Sequence, residues 1–437
     1  MKARAQAEYD QLKKVVIKEP GLEARFGSTV PKAALFQGAF NSSEAKQEFK
    51  QMEETLKQYA TPIKVDDALL NNRESLKKLA QQSSNLVYDN INLMDKSKIE
   101  DESSYVFDLL SDDHLLEIVL TQPTTKVKYS GTNTGLVEEK TVAPLYNLLF
   151  CRDQQITTDK GIVLGNMNSA QRCSETKIME TVFGNLGVDN LYALGDPDAK
   201  LEGGDFIPAG ERAFIGYGLR TNKEAIDELL QEQRTGYDEV VVVEDKVGSQ
   251  DEMHLDTYFN VISKDKVALL ETRMTEDEKQ GLTAHLYTKK DDGSYEKAGS
   301  KQFHTYLQDN GYDIIPIREQ EQRAYGINFL TLSPNKVIGV DIEAKQEHAD
   351  LVTKIAESYG KEADPFFKQD FDRLGKELME KMDSNGVEYT PLRFNMLNMM
   401  YGSVHCMTQA IEREPNLNGF ANKEAAATQQ YVPKETK

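Results

Sequence analysis

An α/β fold built from several similar strand–helix modules is what this sequence predicts. Two observations lead there. Short apolar runs of strand length recur after residue 140, often in close pairs. Single helix-length segments, with apolar residues spaced by three and four, separate them. One doubly wound parallel sheet would alternate strand and helix one for one, so the pairing favours repeated modules, although no repeat shows in the residues themselves. At 437 residues and 39% hydrophobic content the chain can bury a sizeable core.

Residues 13–19 read as a strand that Pro20-Gly21 ends. A helix is expected from about Ser43 to Tyr59, with Phe49, Met52 and Leu56 on its apolar face and Ser42 or Ser43 as N-cap. From 65 to 140, leucines at helical spacing among many charges predict a helical insertion. Strands are then expected at 145–151, 161–165, 205–209, 213–217, 239–244, 257–263, 267–270, 313–317, 329–332, 337–341 and 387–390. Helices are expected near 174–184, 222–233 and 299–310. Residues 344–385 read as a charged helical insertion broken by Pro365. The main fold would then be discontinuous, 1–64 with 141–413, and residues 414–437 a flexible tail.

Acids outnumber bases by 72 to 52, a formal charge of −20, which repels nucleic acid and anionic membranes. The three cysteines, Cys151, Cys173 and Cys406, form neither a redox pair nor a zinc knuckle, and their odd number points to a reducing compartment. No apolar run is long enough for a bilayer, and the N-terminus lacks a signal-peptide core, so the cytoplasm is the expected address. Phosphate-binding, dinucleotide and nucleophile-elbow glycine motifs are all missing, and six scattered histidines give no metal signature. No metal or organic cofactor is expected.

Three short segments carry chemistry: Leu201-Glu202-Gly203-Gly204-Asp205, Met253-His254-Leu255-Asp256, and Cys406. A thiol, an imidazole and several carboxylates suit covalent chemistry on a cationic, nitrogen-rich carbon. A lone cysteine is commonly a buried small hydrophobe, but Gly402-Ser403 and His405 beside Cys406 also suit a nucleophile. If residues 254–256 open a strand, His254 and Asp256 share a face, as a surface ion pair or as an acid/base with its anchor. Glu202 and Asp205 flank two glycines that permit a sharp bend, either a plain acidic turn or a pair of buried carboxylates needing a cation. Asp153 ends the apolar run through Phe150-Cys151-Arg152.

Taken in order, Phe150-Cys151-Arg152-Asp153, Gln171-Arg172, Leu-Glu-Gly-Gly-Asp at 201–205, Ile215-Gly216 leading to Arg220-Thr221, Met-His-Leu-Asp at 253–256 and Cys406-Met407 resemble arginine deiminase, within the guanidino-group modifying superfamily. The resemblance implies a five-bladed α/β propeller, the pentein fold, carrying a helical insertion. It implies conversion of a guanidino compound, L-arginine first, to a ureido compound and ammonia. An amidinotransferase, a dihydrolase on a related substrate, or a non-catalytic arginine-binding protein of the same fold stand as alternatives. Implied roles are Cys406 as nucleophile, His254 as general acid/base, Asp153 and Asp256 gripping guanidinium nitrogens, Glu202 supporting His254, and Asp205 lining the substrate site. Phe150 would pack on the guanidinium plane, and Asn147, Arg172 and Arg220 would bind the substrate's α-carboxylate and nearby groups. Tyr401 and His405 occupy arginine-like positions, a change at the carboxylate end that leaves the guanidinium end intact. The implied partner is the small guanidino substrate alone, and a homo-oligomer is left open.

Overall fold

Alternating and continuous apolar runs become strands of three to eight residues in the computed structural model, which describes residues 1–132 and 135–415. In chain order these are β1 (Gln11–Ile17), β2 (Thr61–Lys64), β3 (Asn85–Asp89), β4 (Pro123–Tyr129), β5 (Leu136–Val142), β6 (Gln155–Thr157) and β7 (Ile162–Leu164). There follow β8 (Leu191–Ala193), β9 (Phe206–Ala209), β10 (Arg212–Tyr217), β11 (Glu239–Glu244), β12 (Phe259–Ser263), β13 (Lys266–Leu270) and β14 (Thr283–Lys289). The last are β15 (Tyr295–Gln302), β16 (Asp313–Ile317), β17 (Leu330–Ser333), β18 (Lys336–Val340), β19 (Glu388–Leu392) and β20 (Gln409–Glu414).

One pairing pattern recurs in five units: β20–β1–β2, β6–β7–β8, β9–β10–β11, β12–β13–β16 and β17–β18–β19. In each, the middle strand runs antiparallel to the first and parallel to the third. Parallel neighbours need a crossover, and a helix lies in each one: Ser42–Leu56, Cys173–Asn185, Lys223–Gln231, Phe303–Asp309 and Phe371–Ser384. The expected modular α/β organisation is thus present. β20 completes the sheet that β1 begins, with Val15 opposite Ala410, so distant parts of the sequence meet in the first unit.

Helix Ser42–Leu56 shows how locally this is encoded. Asn41 caps it, its side-chain oxygen accepting from the N–H groups of Ser43 and Glu44, one position before the expected serines. Ala45, Phe49, Met52 and Leu56 are buried against a core that also holds Phe150 and Cys406.

Several expectations are corrected. Residues 145–151 are a buried turn, with Leu148 N–H on Leu145 O and Phe150 N–H on Asn147 O. Periodicity alone cannot separate a buried turn from a buried strand. The 65–140 segment is not purely helical, since β3, β4 and β5 form a small sheet beside its helices. Residues 299–302 belong to β15, and the helix there spans only Phe303–Asp309. Hairpin β14–β15, which extends the third sheet through β11, carries a polar and charged sequence that gave no apolar strand signal. In the charged 344–385 stretch, Phe371–Ser384 is the fifth crossover helix, burying Phe371, Leu374, Leu378 and Met382. Helix Lys345–Ser358 before it buries only Lys345 and Ala349. From residue 416 the tail expected at 414–437 lies outside the described residues. Among the described residues no helix is long and apolar enough to cross a membrane.

Gly203 marks the point where two units meet. Its N–H donates to Asp153 O at 2.9 Å. A Cβ there would lie 2.0 Å from Arg152 O and 2.2 Å from Gln155 O, both backbone atoms that cannot swing aside. Gly203→Ala is therefore expected to cost about 1–3 kcal/mol through overpacking, read as a lowered thermal midpoint, and an unchanged midpoint would refute the contact.

Candidate active site

Loops from different units bring the candidate residues to one cavity of about 430 Å³. Cys406, His254, Asp153, Phe150, Asn147, Arg172 and Arg220 line it. Asp256, Glu202 and Asp205 are fully or nearly buried behind that wall.

Cys406 lies in the turn before β20, where its N–H donates to Asn328 Oδ1 at 3.3 Å. Its Sγ is 3.7 Å from Asp256 Oδ2. Asn328 also donates from Nδ2 to Asp256 O at 3.0 Å, so one amide fixes both the thiol's backbone and the acid's. The neighbouring Gly402 lies flush against Phe150, because a Cβ there would come 2.1 Å from the ring. No larger residue leaves Phe150 in place.

Residues 254–256 do not open a strand. They form a tight turn, with Leu255–Thr257 in a 3₁₀ helix and β12 beginning only at Phe259. His254 and Asp256 therefore divide between two jobs. His254 faces the cavity, with Nε2 2.8 Å from Glu202 Oε2 and Nδ1 3.9 Å from Asp153 Oδ1. Asp256 lies under the sulfur, its Oδ2 accepting from His405 Nδ1 at 2.7 Å. Both readings as an exposed feature, the surface ion pair and the plain acidic turn, are set aside by this burial.

Glu202 is held by Asn168 N–H at 3.0 Å, and Arg220 Nη1 stands 3.9 Å from its Oε1. Asp205 was expected to line the substrate site but does not: its Oδ1 accepts from Leu255 N–H at 2.9 Å and so pins the His254 turn. Arg172 is also placed differently from a free carboxylate binder. It is buried, with Nη1 on Asp153 Oδ2 at 2.8 Å and Nη2 on Glu175 Oε2 at 2.8 Å. Arg220 keeps more capacity, since its buried Nε has no partner among the described residues. His405 does not reach the cavity either; it is fully buried below Asp256.

Two carboxylate oxygens, Asp153 Oδ1 and Asp256 Oδ1, are buried and make no hydrogen bond among the described residues. Unmet buried acceptors are costly, and two of them beside a thiol suit a flat donor-rich cation. The charges follow. Burial pushes the Cys406 thiol well above its ordinary value, and Asp256 and Asp153 push the same way. Burial opposes a charged His254, yet the Asp153 charge, the Glu202 hydrogen bond and the Asp205 charge outweigh it and lift the imidazole to about 9. Burial likewise opposes Glu202 ionisation, but the His254 hydrogen bond and charge bring it down to about 2. Asp205, dominated by burial, rises to about 6. At neutral pH the site thus holds a protonated thiol beside an imidazolium. Donor atoms of Asp153, Glu202 and His254 lie within 4.8 Å of one another. Holding a metal there would require His254 to give up a proton kept by two acids.

Sequence reasoning missed Asn328, and no motif surrounds it. It also missed the cavity mouth, where Lys32, Arg323, Asp251, Asp364, Tyr325 and Phe366 gather from distant segments.

A family model described as arginine deiminase matches residues 32–413. The chain belongs to the arginine deiminase family. As a member it is a hydrolase acting on carbon–nitrogen bonds of amidines. It is 23% identical over 496 residues to the arginine deiminase of Halobacterium salinarum, covering 95% of this chain and 97% of that one. The Oenococcus oeni arginine deiminase is 26% identical over 242 residues, 50% of this chain and 58% of the relative. Among solved structures, the product-bound N-terminal domain of ArgZ, an arginine dihydrolase of cyanobacteria, superposes with a TM-score of 0.52 at 12% identity, covering 92% of this chain and 98% of that one. At that identity the likeness establishes a shared mixed α/β fold, the pentein type.

The His254–Glu202 pair makes stability depend on pH. Raised from 6.5 to about 9, His254 stabilises fully below 6.5 and loses that share as pH rises through 9. Glu202, lowered from 4.5 to about 2, contributes above 4.5 and loses its share as pH falls through 2. Glu202→Gln removes the anion, so His254 should titrate well below 9 in the variant, followed by NMR of the ring protons; an unmoved titration would exclude the pairing.

Proposed function

We propose that the chain hydrolyses free L-arginine to L-citrulline and ammonia through a covalent adduct on Cys406. The observation that carries this reading is the pair of unpartnered carboxylate oxygens, one on Asp153 in a cavity wall that also presents Cys406 and protonated His254, the other on Asp256 buried behind that wall. A guanidinium is planar and resonance-stabilised, so it reacts only when held and aimed. Asp153 Oδ1 and Asp256 Oδ1 accept its N–H groups, and Phe150 packs against its plane. The bound positive charge offsets the two acids that keep the thiol protonated, and the Cys406 proton leaves to solvent through the cavity.

The thiolate then bonds to the guanidinium carbon, giving a neutral tetrahedral adduct. His254 gives its proton to the departing nitrogen, the C–N bond breaks, and ammonia leaves behind a cationic thiouronium. Neutral His254 takes a proton from water, and the hydroxide adds to the same carbon. The C–S bond breaks, the hydroxyl proton passes to sulfur, and the ureido product is released. Glu202 keeps His254 in register for both proton transfers. Asp205 supports the same turn from behind, and Arg172 holds Asp153.

At the outer end, Arg220, Lys32 and Arg323 with Asp251 and Asp364 supply cations and anions for a zwitterionic amino-acid head group. Tyr401 stands among them without a charge, its hydroxyl donated to Asp251. We infer that Arg220 carries most of the α-carboxylate recognition, with Asn147 beside it. We further infer that the five strand units close on one another as a five-bladed α/β propeller, with 65–140 inserted and the reaction at one end of its axis. Contacts of β1 with β17, β12 with β17, β12 with β9 and β20 with β6 join four of the five neighbouring pairs of units and support this reading. The free thiols support a cytoplasmic address.

Cys406→Ala should abolish citrulline and ammonia release while the protein unfolds near the parent temperature, since the side chain lost is small. Citrulline at a near-parent rate would reject Cys406 as nucleophile. Arg220→Gln should raise the KM for L-arginine about tenfold or more at little cost in kcat, and leave agmatine, which lacks the carboxylate, unchanged. Equal effects on both substrates in steady-state assays would place Arg220 elsewhere in the reaction.

A further inference from the structure

Beneath the cavity runs a buried polar column that the reaction as described does not use. Asp256 Oδ2 accepts from His405 Nδ1 at 2.7 Å. On the other side of the ring, Nε2 lies 3.4 Å from Glu8 Oε1. Glu8 is itself fixed by Arg413 Nη2 at 2.8 Å and Arg152 Nη2 at 3.5 Å. Burial opposes the Glu8 charge, but the two guanidiniums keep its carboxyl far below the usual range. Arg152 Nε also donates to His405 O at 3.3 Å, so the backbone of the residue is held as well as its ring. Every member of this column is at least nine-tenths buried. It joins the first residues of the chain to the acid under the reactive sulfur.

An ordinary salt bridge for stability would not need this construction. Asp256 has two oxygens, and the column occupies one of them, Oδ2, leaving Oδ1 without a partner among the described residues. A carboxylate held at one oxygen turns less freely, so its second oxygen samples a narrower range of directions. Without the imidazole, Asp256 would turn toward whichever donor came nearest.

We propose that His405 is a positioning residue for guanidinium recognition, acting through Asp256, with the Glu8 carboxylate beneath its ring. This rests on the arginine-hydrolase reading. Asparagine at 405 places an amide N–H near the imidazole Nδ1 position, whereas glutamine places it near Nε2. His405→Asn should therefore keep the Asp256 contact and His405→Gln should lose it.

The test measures alkylation of Cys406 by chloroacetamidine, a flat cation, against neutral chloroacetamide, together with citrulline formation. In the parent the amidine should react far faster. His405→Gln should shrink that preference about 10- to 100-fold, the scale of one lost charge-assisted hydrogen bond, and lower citrulline formation by kcat more than by KM. His405→Asn should hold the preference within about tenfold. An unchanged preference in His405→Gln, or an equal loss in both variants, overturns the proposal. Should His405→Gln fail to fold, His405→Asn decides alone: a kept preference supports the Nδ1 contact and a lost one overturns it. A parent that makes no citrulline while the alkylation pattern holds would sink the hydrolase reading and leave the positioning role standing.

Discussion

Buried negative charge is the constraint around which this molecule is arranged. Glu8, Asp153, Glu175, Glu202, Asp205 and Asp256 are all withdrawn from water within a short distance of the cavity. Carboxylates in such a setting are expensive unless each meets a cation or a set of N–H donors. Arg172 answers Asp153 and Glu175, His254 answers Glu202, His405 answers Asp256, and Arg413 with Arg152 answers Glu8. Asp205 takes a backbone N–H instead, and its carboxyl accordingly stays high. After these pairings, one oxygen each of Asp153 and Asp256, Oδ1 in both, is left over, and the other oxygen of Asp256 lies 3.7 Å from the thiol. On the proposed reaction, the substrate cation would supply the donors that these two oxygens lack.

That arrangement couples binding to chemistry. The same acids that attract a guanidinium hold the empty site's thiol in its unreactive form. An imidazolium lifted by its acidic neighbours is already loaded with the proton that the leaving nitrogen needs. A neutral solute of similar shape brings no charge, leaves the thiol protonated, and finds two acids that want donors it lacks. On the proposed reaction, selectivity for the cation and protection of the thiol would follow from one electrostatic cause.

Sequence patterns made much of this legible, and physical reasons explain the remainder. Crossover helices such as 173–185 and 223–231 and strands such as 313–317 were readable because each buries one face and carries the matching period. Gly203 was readable as part of a bend and Gly402 as a point of close approach, and at both no room is left for a Cβ. The site's short motifs placed Cys406, His254, Glu202 and Asp153 together. The 145–151 turn was not readable as a turn, since burial on all sides erases periodicity. Nor was hairpin β14–β15, whose strands are held by cross-strand pairing of polar residues. Asn328, and the contact of His405 with Asp256, escaped for a different reason: they join residues more than seventy positions apart in the chain, and nothing in their neighbours signals the contact.

The two ends of the site are built to different standards, and this bears on how specificity can change within such a family. Groups aimed at the guanidinium come from the turns at 153, 256 and 406, and each is locked by further buried residues. Altering one leaves a charge stranded in a dry interior, so this end is hard to vary. Groups at the mouth, such as Arg323, Asp251 and Asp364, are at least partly exposed and belong to loops and short helical turns. Losing a charge there costs little, because water can replace a partner. A tyrosine at position 401, hydrogen-bonded to Asp251, is the kind of change the mouth tolerates and the interior does not. On the proposed reaction, the chemistry could therefore persist while the recognised head group drifts, and the less constrained half of the cavity would decide the substrate beyond its guanidinium.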